Sequence, residues 1–134
     1  MQDQEFIGKV QQRARLASRK AAEEATSAVL STLAQRLAGG AADKLAAQLP
    51  PGVARHLRTT ATAGRQLGPD AFVSAVAARE GVDDAAAAFH VRAVFAALED
   101  ATAGTLAKVR DQMPDGFDAF FTAGTAGDLD LPED

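Results

Sequence analysis

His90 is the side chain best suited to chemistry in this sequence. Acidic residues lie near it on both sides, at Asp83, Asp84 and Glu99. An imidazole next to carboxylates can serve as a general base or as a metal ligand. A metal site needs three or four convergent ligands, however, and the only other imidazole in the chain is that of His56. We therefore predict that His90 is a structural histidine, hydrogen-bonded at the edge of the core or between two halves of the fold.

A second candidate for acid–base chemistry is the group of carboxylates Glu80, Asp83 and Asp84 around the Gly81-Val82 segment. Such chemistry requires one carboxyl group in an apolar pocket, where its pKa rises. Asp83 has a simpler role as the N-cap of a following helix, and Asp84 suits the positive end of that helix dipole. Because no nucleophile or phosphate-binding motif occurs elsewhere, we predict that the protein is not an enzyme and uses no cofactor or metal ion.

Basic side chains cluster near the end of the first predicted helix, at Arg13, Arg15, Arg19 and Lys20. A cluster of this kind can bind phosphate groups. The pI is near 5.1 and no Tyr or Trp is present for base stacking, so we predict a solvated charged face and no nucleic-acid partner. Arg92 is expected to pair with a carboxylate of the acidic second half, with substrate binding as the alternative. The candidates for ligand or partner contacts are one histidine and four arginines: His90, Arg92, Arg13, Arg15 and Arg19.

Charge is distributed unevenly along the 134 residues. Residues 1–67 contain ten Lys or Arg against five Asp or Glu, whereas residues 68–134 contain four against thirteen. Complementary charge of this kind sets the orientation and the rate of association more than its affinity. The asymmetry predicts an association that weakens with salt, through self-pairing or with an oppositely charged protein.

The composition excludes several classes of protein. Without cysteine, the chain cannot form disulfides, thiolate metal sites or a thiol nucleophile. It also lacks an apolar run long enough for a membrane span and the apolar segment of a signal peptide, so we predict a cytoplasmic protein with no membrane contact. Alanine accounts for 32 residues. Because alanine is the best helix former and no stretch alternates as a strand would, we predict an all-helical fold.

The elements that must position these residues follow from an internal repeat. Three blocks of the first half reappear in order in the second half, at offsets that drift only from 66 to 64. The matched blocks are Phe6–Val10 with Phe72–Val76, Ala28–Leu33 with Ala93–Leu98, and Gln48–Val53 with Gln112–Phe117. Since neither unit can bury its apolar face alone, we predict two tandem copies of one helical unit, packed into one bundle with pseudo-twofold symmetry.

Each copy is predicted to contain a long helix pair followed by two short helices. In the first copy one helix covers about residues 4–17, and Ser18 caps the next, which ends before Gly39-Gly40. A third helix runs from Ala41 to Gln48, and Pro50-Pro51-Gly52 then turns the chain into a single-turn segment.

The second copy has the same signals for the beginning and end of each helix. Pro69 opens its first helix, Gly81 closes that helix, and Asp83 caps the long helix that follows. Three phenylalanines end the copy: Phe117, Phe120 and Phe121. The chain is thus predicted to form one domain over residues 1–121, with copies at about 4–57 and 70–121, a linker at 58–69 and an acidic tail at 122–134.

These blocks resemble the pattern of an uncharacterised bacterial family, domain of unknown function 2267 (DUF2267). That pattern is F-x-x-x-V, then a small-residue helix with A-V-L-x-x-L, then Q-L-P, all repeated once. The first copy matches it at Phe6/Val10, Ala28-Val29-Leu30/Leu33 and Gln48-Leu49-Pro50. The second copy has Phe95 and Met113 in place of two leucines, which keeps both side chains apolar. The resemblance covers the chain from Phe6 to Phe121 and implies an all-helical, two-repeat fold and a small bacterial protein, but no activity.

The sequence therefore favours a non-enzymatic protein-interaction or assembly module. The alternative is a small-molecule-binding protein that uses a cleft between the two copies, where such pockets tend to form. For the acidic tail at residues 122–134 we predict a solubilising role, with docking of another protein as the alternative.

Overall fold

A computed structural model gives the fold of the protein and describes residues 1–37, 40–58, 67–102 and 104–111. These residues form seven helices and no strand, so the prediction of an all-helical fold is confirmed. None of these helices has the length and apolarity that a membrane span requires. In chain order the helices are α1 (Asp3–Ala14), α2 (Arg19–Arg36), α3 (Ala41–Ala46), α4 (Pro51–Arg58), α5 (Pro69–Glu80), α6 (Asp84–Thr102) and α7 (Gly104–Arg110).

Helices α2 and α6 form the centre of the fold. Helix α2 packs against α1, α4, α5 and α6, and α6 packs against α1, α2, α5 and α7. Helix α6 buries residues on most of its sides, including Ala93, Ala96 and Ala97, as a central helix must. Their alanine content suits both helices to this position, because small side chains allow a short distance between helix axes.

One hydrophobic core joins the helices. Phe6, Phe72 and Phe95 are among its largest side chains and are at most 1% exposed. The rings of Phe72 and Phe95 meet edge to face, with their centroids 6.2 Å apart, which is a favourable aromatic geometry. Val29 and Val94, which the repeat alignment makes equivalent, are both fully buried. Helices from α1 to α7 contribute to this core, so α1 and α2 are packed together with α5 and α6.

Local capping chemistry sets several of the helix ends. The Ser18 hydroxyl accepts a hydrogen bond from the backbone N–H of Ala21 at 3.0 Å, and Asp83 Oδ1 accepts one from that of Ala86 at 2.8 Å. Both predicted N-caps are therefore confirmed. Gly81 ends α5 with a φ of 76°, a left-handed conformation that glycine adopts without the steric cost of a Cβ.

Several helix boundaries differ from the sequence prediction, including the end of α3, which lies at Ala46 rather than at Gln48. Helix α1 ends at Ala14 rather than near Ala17, because Arg15 takes the left-handed conformation with a φ of 54° and terminates the helix. The segment after Pro50 forms the eight-residue helix α4 rather than a single turn. Pro51 suits the first position of α4, since a proline there has a helical φ and gives up no intrahelical hydrogen bond.

Arg36 fixes the chain at the start of the second half. Its side chain is buried at the end of α2, and its Nε donates a hydrogen bond to the Leu67 carbonyl at 3.2 Å. This bond holds the residues just before α5 against the first half. The predictions for most of the 58–69 linker, for residues 112–121 and for the 122–134 tail lie outside the described residues.

Candidate functional site

The outward face of α2 carries a polar stripe formed by Lys20, Glu24, Ser27 and Ser31. Successive members lie three or four positions apart, so their side chains share one side of the helix. Two clefts adjoin along this stripe, and Glu24 and Ser27 line both of them. We call the combined depression the α2 groove; the stripe is its floor, and α4 and α5 are its two walls.

The first cleft of the α2 groove lies between α2 and the start of α4 and has a volume of about 420 Å³. At its edge, Asp3 of α1 accepts a hydrogen bond from the backbone N–H of Val53 at 3.1 Å, which caps α4 from another helix. Gly52 permits this approach, because a Cβ there would lie 2.8 Å from the Asp3 carboxylate. Further charged or titratable side chains line the cleft: Arg19, Lys20, Glu23, Arg55 and His56.

The second cleft lies between α2 and the end of α5 and has a volume of about 430 Å³. Besides the two shared residues, it is lined by Ala28 and Ser31 of α2 and by Arg79 and Glu80 of α5. Helix α2 belongs to the first predicted copy and α5 to the second. The cleft therefore has the location expected of a ligand site between the copies.

Glu80 and His90 form a buried pair beside the second cleft. Glu80 Oε2 lies 2.6 Å from His90 Nδ1, and the two side chains are only 6% and 8% exposed. Despite this short distance, Nδ1 makes no aligned hydrogen bond, and the other carboxylate oxygen, Oε1, has no hydrogen-bond partner among the described residues. The contact is therefore an electrostatic pairing, strongest when the imidazole is protonated. Glu80 thus keeps unused acceptor capacity, at an oxygen that is itself buried beside the groove.

The sequence places His90 among acidic residues but does not single out Glu80 as its partner. Asp83 is occupied as the cap of α6, and Asp84 accepts a hydrogen bond from the Ser74 hydroxyl at 3.1 Å. The available signal was that Glu80 and His90 lie on opposite sides of the turn between two helices that pack together. Within the described part of the chain, no group of three or more His, Asp or Glu side chains could hold a metal ion.

Arg13 lies away from the groove, in contacts that join α1 to α6. Its Nη2 is 3.4 Å from Asp100 Oδ2, and Lys9 Nζ is 3.3 Å from the same oxygen. All three side chains are partly exposed, so each ion pair contributes about 1 kcal/mol or less. The basic first half and the acidic second half therefore use part of their complementary charge within the chain.

The other candidate arginines occupy three different places. Arg19 lines the first cleft and pairs with Glu23 at 3.7 Å. Arg15 is exposed at the end of α1. Arg92 is half-buried on α6, and its buried Nε has no hydrogen-bond partner in the described ranges. Of the predicted site residues, the structure thus brings Arg19 to the first cleft of the groove. Glu80, which contacts His90, lines the second cleft.

A family model described as "Uncharacterized conserved protein (DUF2267)" matches residues 3–120. The chain belongs to the DUF2267 family. The match spans all seven described helices, so the α2 groove and the buried Glu80–His90 pair both lie within the DUF2267 domain. A comparison with curated proteins found no match to the chain.

Within this DUF2267 domain, His56 is a titratable side chain with a perturbed pKa at the groove. Burial lowers the pKa of His56 below its usual value near 6.5, the adjacent Arg55 guanidinium lowers it further, and Glu23 partly opposes both effects. The folded protein therefore favours the neutral imidazole. Since the unfolded chain takes up this proton at a higher pH, the contribution of His56 to stability is lost as the pH falls from about 6.5 toward its folded-state pKa.

We expect the NMR titration of the His56 ring to have its midpoint below that of a model peptide. Arg55→Gln should move the midpoint upward, because the substitution removes the second cause of the depression. The stability advantage of the wild-type protein over His56→Gln should also be larger at pH 7.5 than at pH 5 in urea unfolding, by linkage. A wild-type midpoint above the model-peptide value would show that the imidazole is not held in this environment.

Proposed function

We propose that this protein is a non-enzymatic interaction module that binds a short segment of another protein in the α2 groove. The observation that carries the proposal is the meeting of two clefts, of about 420 and 430 Å³, along one polar face of a central helix. Depressions between packed helices are common positions for binding sites. The walls belong to α4 and α5, so the docked segment would bridge the two halves.

The length of the groove fits a short peptide. The stripe from Lys20 to Ser31 corresponds to about 17 Å of α-helix. An extended segment of about five residues covers the same distance. Ser27 and Ser31 are short side chains with hydroxyl groups, so they leave room for a peptide backbone and offer it hydrogen-bond partners.

Charges at the two ends of the groove favour a segment that carries both signs. Lys20 and Arg55 line the α4 end and form no ion pair with the described residues. Glu80 lines the α5 end. A docked segment is therefore expected to place an acidic side chain near the two cations and a basic side chain near Glu80, because complementary charge fixes orientation.

Several correspondences support two tandem copies related by pseudo-twofold symmetry. Helices α1 and α5 each contain 12 residues, and their first residues are separated by the repeat offset of 66. Both are followed by a residue with positive φ, Arg15 after α1 and Gly81 after α5. The first residues of α2 and α6 are separated by 65, which is the offset of the second matched block. On this proposal, the groove exists because the two copies meet along α2.

Small-molecule binding between α2 and α5 is the second candidate function. The buried carboxylate of Glu80 favours it, and the cleft volume of about 430 Å³ falls in the range of ligand pockets. We prefer a protein segment because the polar stripe continues past this cleft into the neighbouring one. A cytoplasmic location, proposed from the composition, agrees with either function.

Ser27→Arg tests the proposal, because it places a long side chain on the floor shared by both clefts. Short peptides selected from a displayed random library on the wild-type protein should bind Ser27→Arg at least about tenfold more weakly in fluorescence anisotropy. Ala78→Arg is the matched control, since Ala78 is exposed on α5 and lines neither cleft. This variant adds the same charge and should bind like the wild type.

Equal binding of the selected peptides by Ser27→Arg and wild type would exclude the groove as their site. A selection that enriches no peptide, together with small molecules that stabilise wild type but not Ser27→Arg, would favour the second candidate function. Sedimentation at low and high salt tests whether the bound protein is a second copy of this chain. A salt-sensitive dimer that Ser27→Arg abolishes would identify a second copy as the bound protein.

A further inference from the structure

We propose that Glu80 forms a subsite of the α2 groove for a protonated amine, the ε-ammonium group of a lysine in the docked segment. The inference rests on the proposed function and specifies which chemical group occupies the α5 end. Glu80 lines the second cleft, its side chain is 6% exposed, and its Oε1 has no hydrogen-bond partner among the described residues. A buried carboxylate oxygen without a donor is costly. Oε1 is itself buried, so the carboxylate must turn toward the cleft before an ammonium group in the groove can supply that donor.

Packing between α5 and α6 does not by itself require this carboxylate. The repeat alignment pairs Glu80 with Ala14 at an offset of 66 and His90 with Ala25 at an offset of 65. Both alanines are buried, with exposed fractions of 4% and 0%. The first half thus packs the corresponding helices with two methyl groups. The second half buries an ion pair there, which is rarely the more stable choice, so a binding role explains the difference.

The lining of the cleft favours a cation over an anion. Glu24 and Glu80 provide carboxylates, Ser27 and Ser31 provide hydroxyl oxygens, and Arg79 is the one cation that lines this cleft within the described residues. Several oxygen acceptors at different positions suit a group with donors in several directions. Arg79 is exposed, so it would oppose the ligand without blocking the cleft completely.

Ammonium fits better than guanidinium at this position. His90 Nδ1 already lies 2.6 Å from Oε2, so one carboxylate oxygen remains for the ligand. A guanidinium group achieves its advantage by binding both oxygens of a carboxylate at once. An ammonium group is a compact charge with three independent donors, and it can reach Oε1 and a serine hydroxyl together.

Two small probes test the subsite in the intact protein. N-acetyl-lysine methylamide carries the free ε-ammonium group, and its Nε-acetylated counterpart is neutral but similar in shape. In ¹H–¹⁵N spectra the charged probe should produce saturable shifts at Ser27, Ser31 and Glu80, and the neutral probe should bind at least about tenfold more weakly. N-acetyl-arginine methylamide should fall between the two.

Matched variants assign the effect to Glu80. Glu80→Gln keeps the size of the side chain and should abolish the saturable shifts. Glu99→Gln removes one charge on α6, away from both clefts, and should bind like the wild type. Arg79→Gln should bind the charged probe several-fold more tightly, because the competing cation is gone. Arg79→Gln and the neutral probe test the ammonium subsite even if Glu80→Gln does not fold.

Equal binding of the charged and neutral probes, or unchanged binding by Arg79→Gln, would overturn the ammonium subsite. Selected peptides that bind in the groove without any lysine would overturn the subsite and leave the interaction module intact. Conversely, saturable binding of the lysine probe with no peptide enriched in the selection would support the subsite and contradict the proposed function.

Discussion

His90→Ala is expected to lower the free energy of unfolding by about 3–5 kcal/mol, the usual cost of removing one partner from a buried ion pair. The substitution leaves the Glu80 carboxylate with a 6% exposed side chain and with an Oε1 that has no hydrogen-bond partner among the described residues. Desolvation of this charge is then uncompensated. Urea unfolding at neutral pH measures the loss directly.

Glu80→Ala should cost less, about 1–3 kcal/mol. This substitution leaves only a buried imidazole nitrogen without a partner, which is the ordinary cost of one unsatisfied polar group. Removing both side chains recreates the alanine pair found at the aligned positions Ala14 and Ala25. We therefore expect the double variant to be more stable than His90→Ala alone, which is a strongly non-additive cycle.

Asp100→Ala is the control for this cycle. It also removes an acidic partner, here one shared by the two ion pairs with Lys9 and Arg13, but the Asp100 side chain is 36% exposed, so the expected loss is about 1 kcal/mol or less for each pair. Additive losses from the two single substitutions would mean that Glu80 and His90 do not interact energetically. A His90→Ala variant as stable as Asp100→Ala would contradict the burial of a charged carboxylate.

Features set by local chemistry could be predicted from the sequence. Ser18 and Asp83 cap helices by bonding to a backbone N–H three residues ahead, and Gly81 ends a helix through its own backbone freedom. Each of these depends on a few neighbouring residues and on no other helix. The all-helical fold follows in the same way from alanine content and apolar periodicity.

The candidate site depends on how separate helices are placed, and the sequence does not encode this locally. The α2 groove exists because α4 and α5 pack on either side of Ser27, which in the sequence is one of several helical serines. The basic cluster shows the same dependence. Arg13 and Arg19 are close in sequence, but Arg13 pairs with Asp100 across the fold, whereas Arg19 lines the first cleft.

Phe72→Ala is expected to lower the free energy of unfolding by about 3–5 kcal/mol, the cost of emptying a fully buried aromatic site. The Phe72 side chain is 0% exposed and packs edge to face against Phe95. Phe6, its counterpart in the repeat alignment, is also 0% exposed, so Phe6→Ala should have a similar effect. Phe72→Ala should be the more severe by about 0.5–1.5 kcal/mol, the contribution of an aromatic pair, since Leu30 aligns with Phe95 in the first half.

The shape of the unfolding curve tests how the two halves are joined. Because Phe6 and Phe72 belong to one hydrophobic core, each substitution should shift a single cooperative transition measured by both circular dichroism and fluorescence of an attached probe. Gln4→Ala, at an exposed position of α1, should change stability by less than about 0.5 kcal/mol. If the halves instead fold as separate units, Phe6→Ala will shift only one phase of a biphasic curve. A groove whose walls come from both halves could not then persist once either half unfolds.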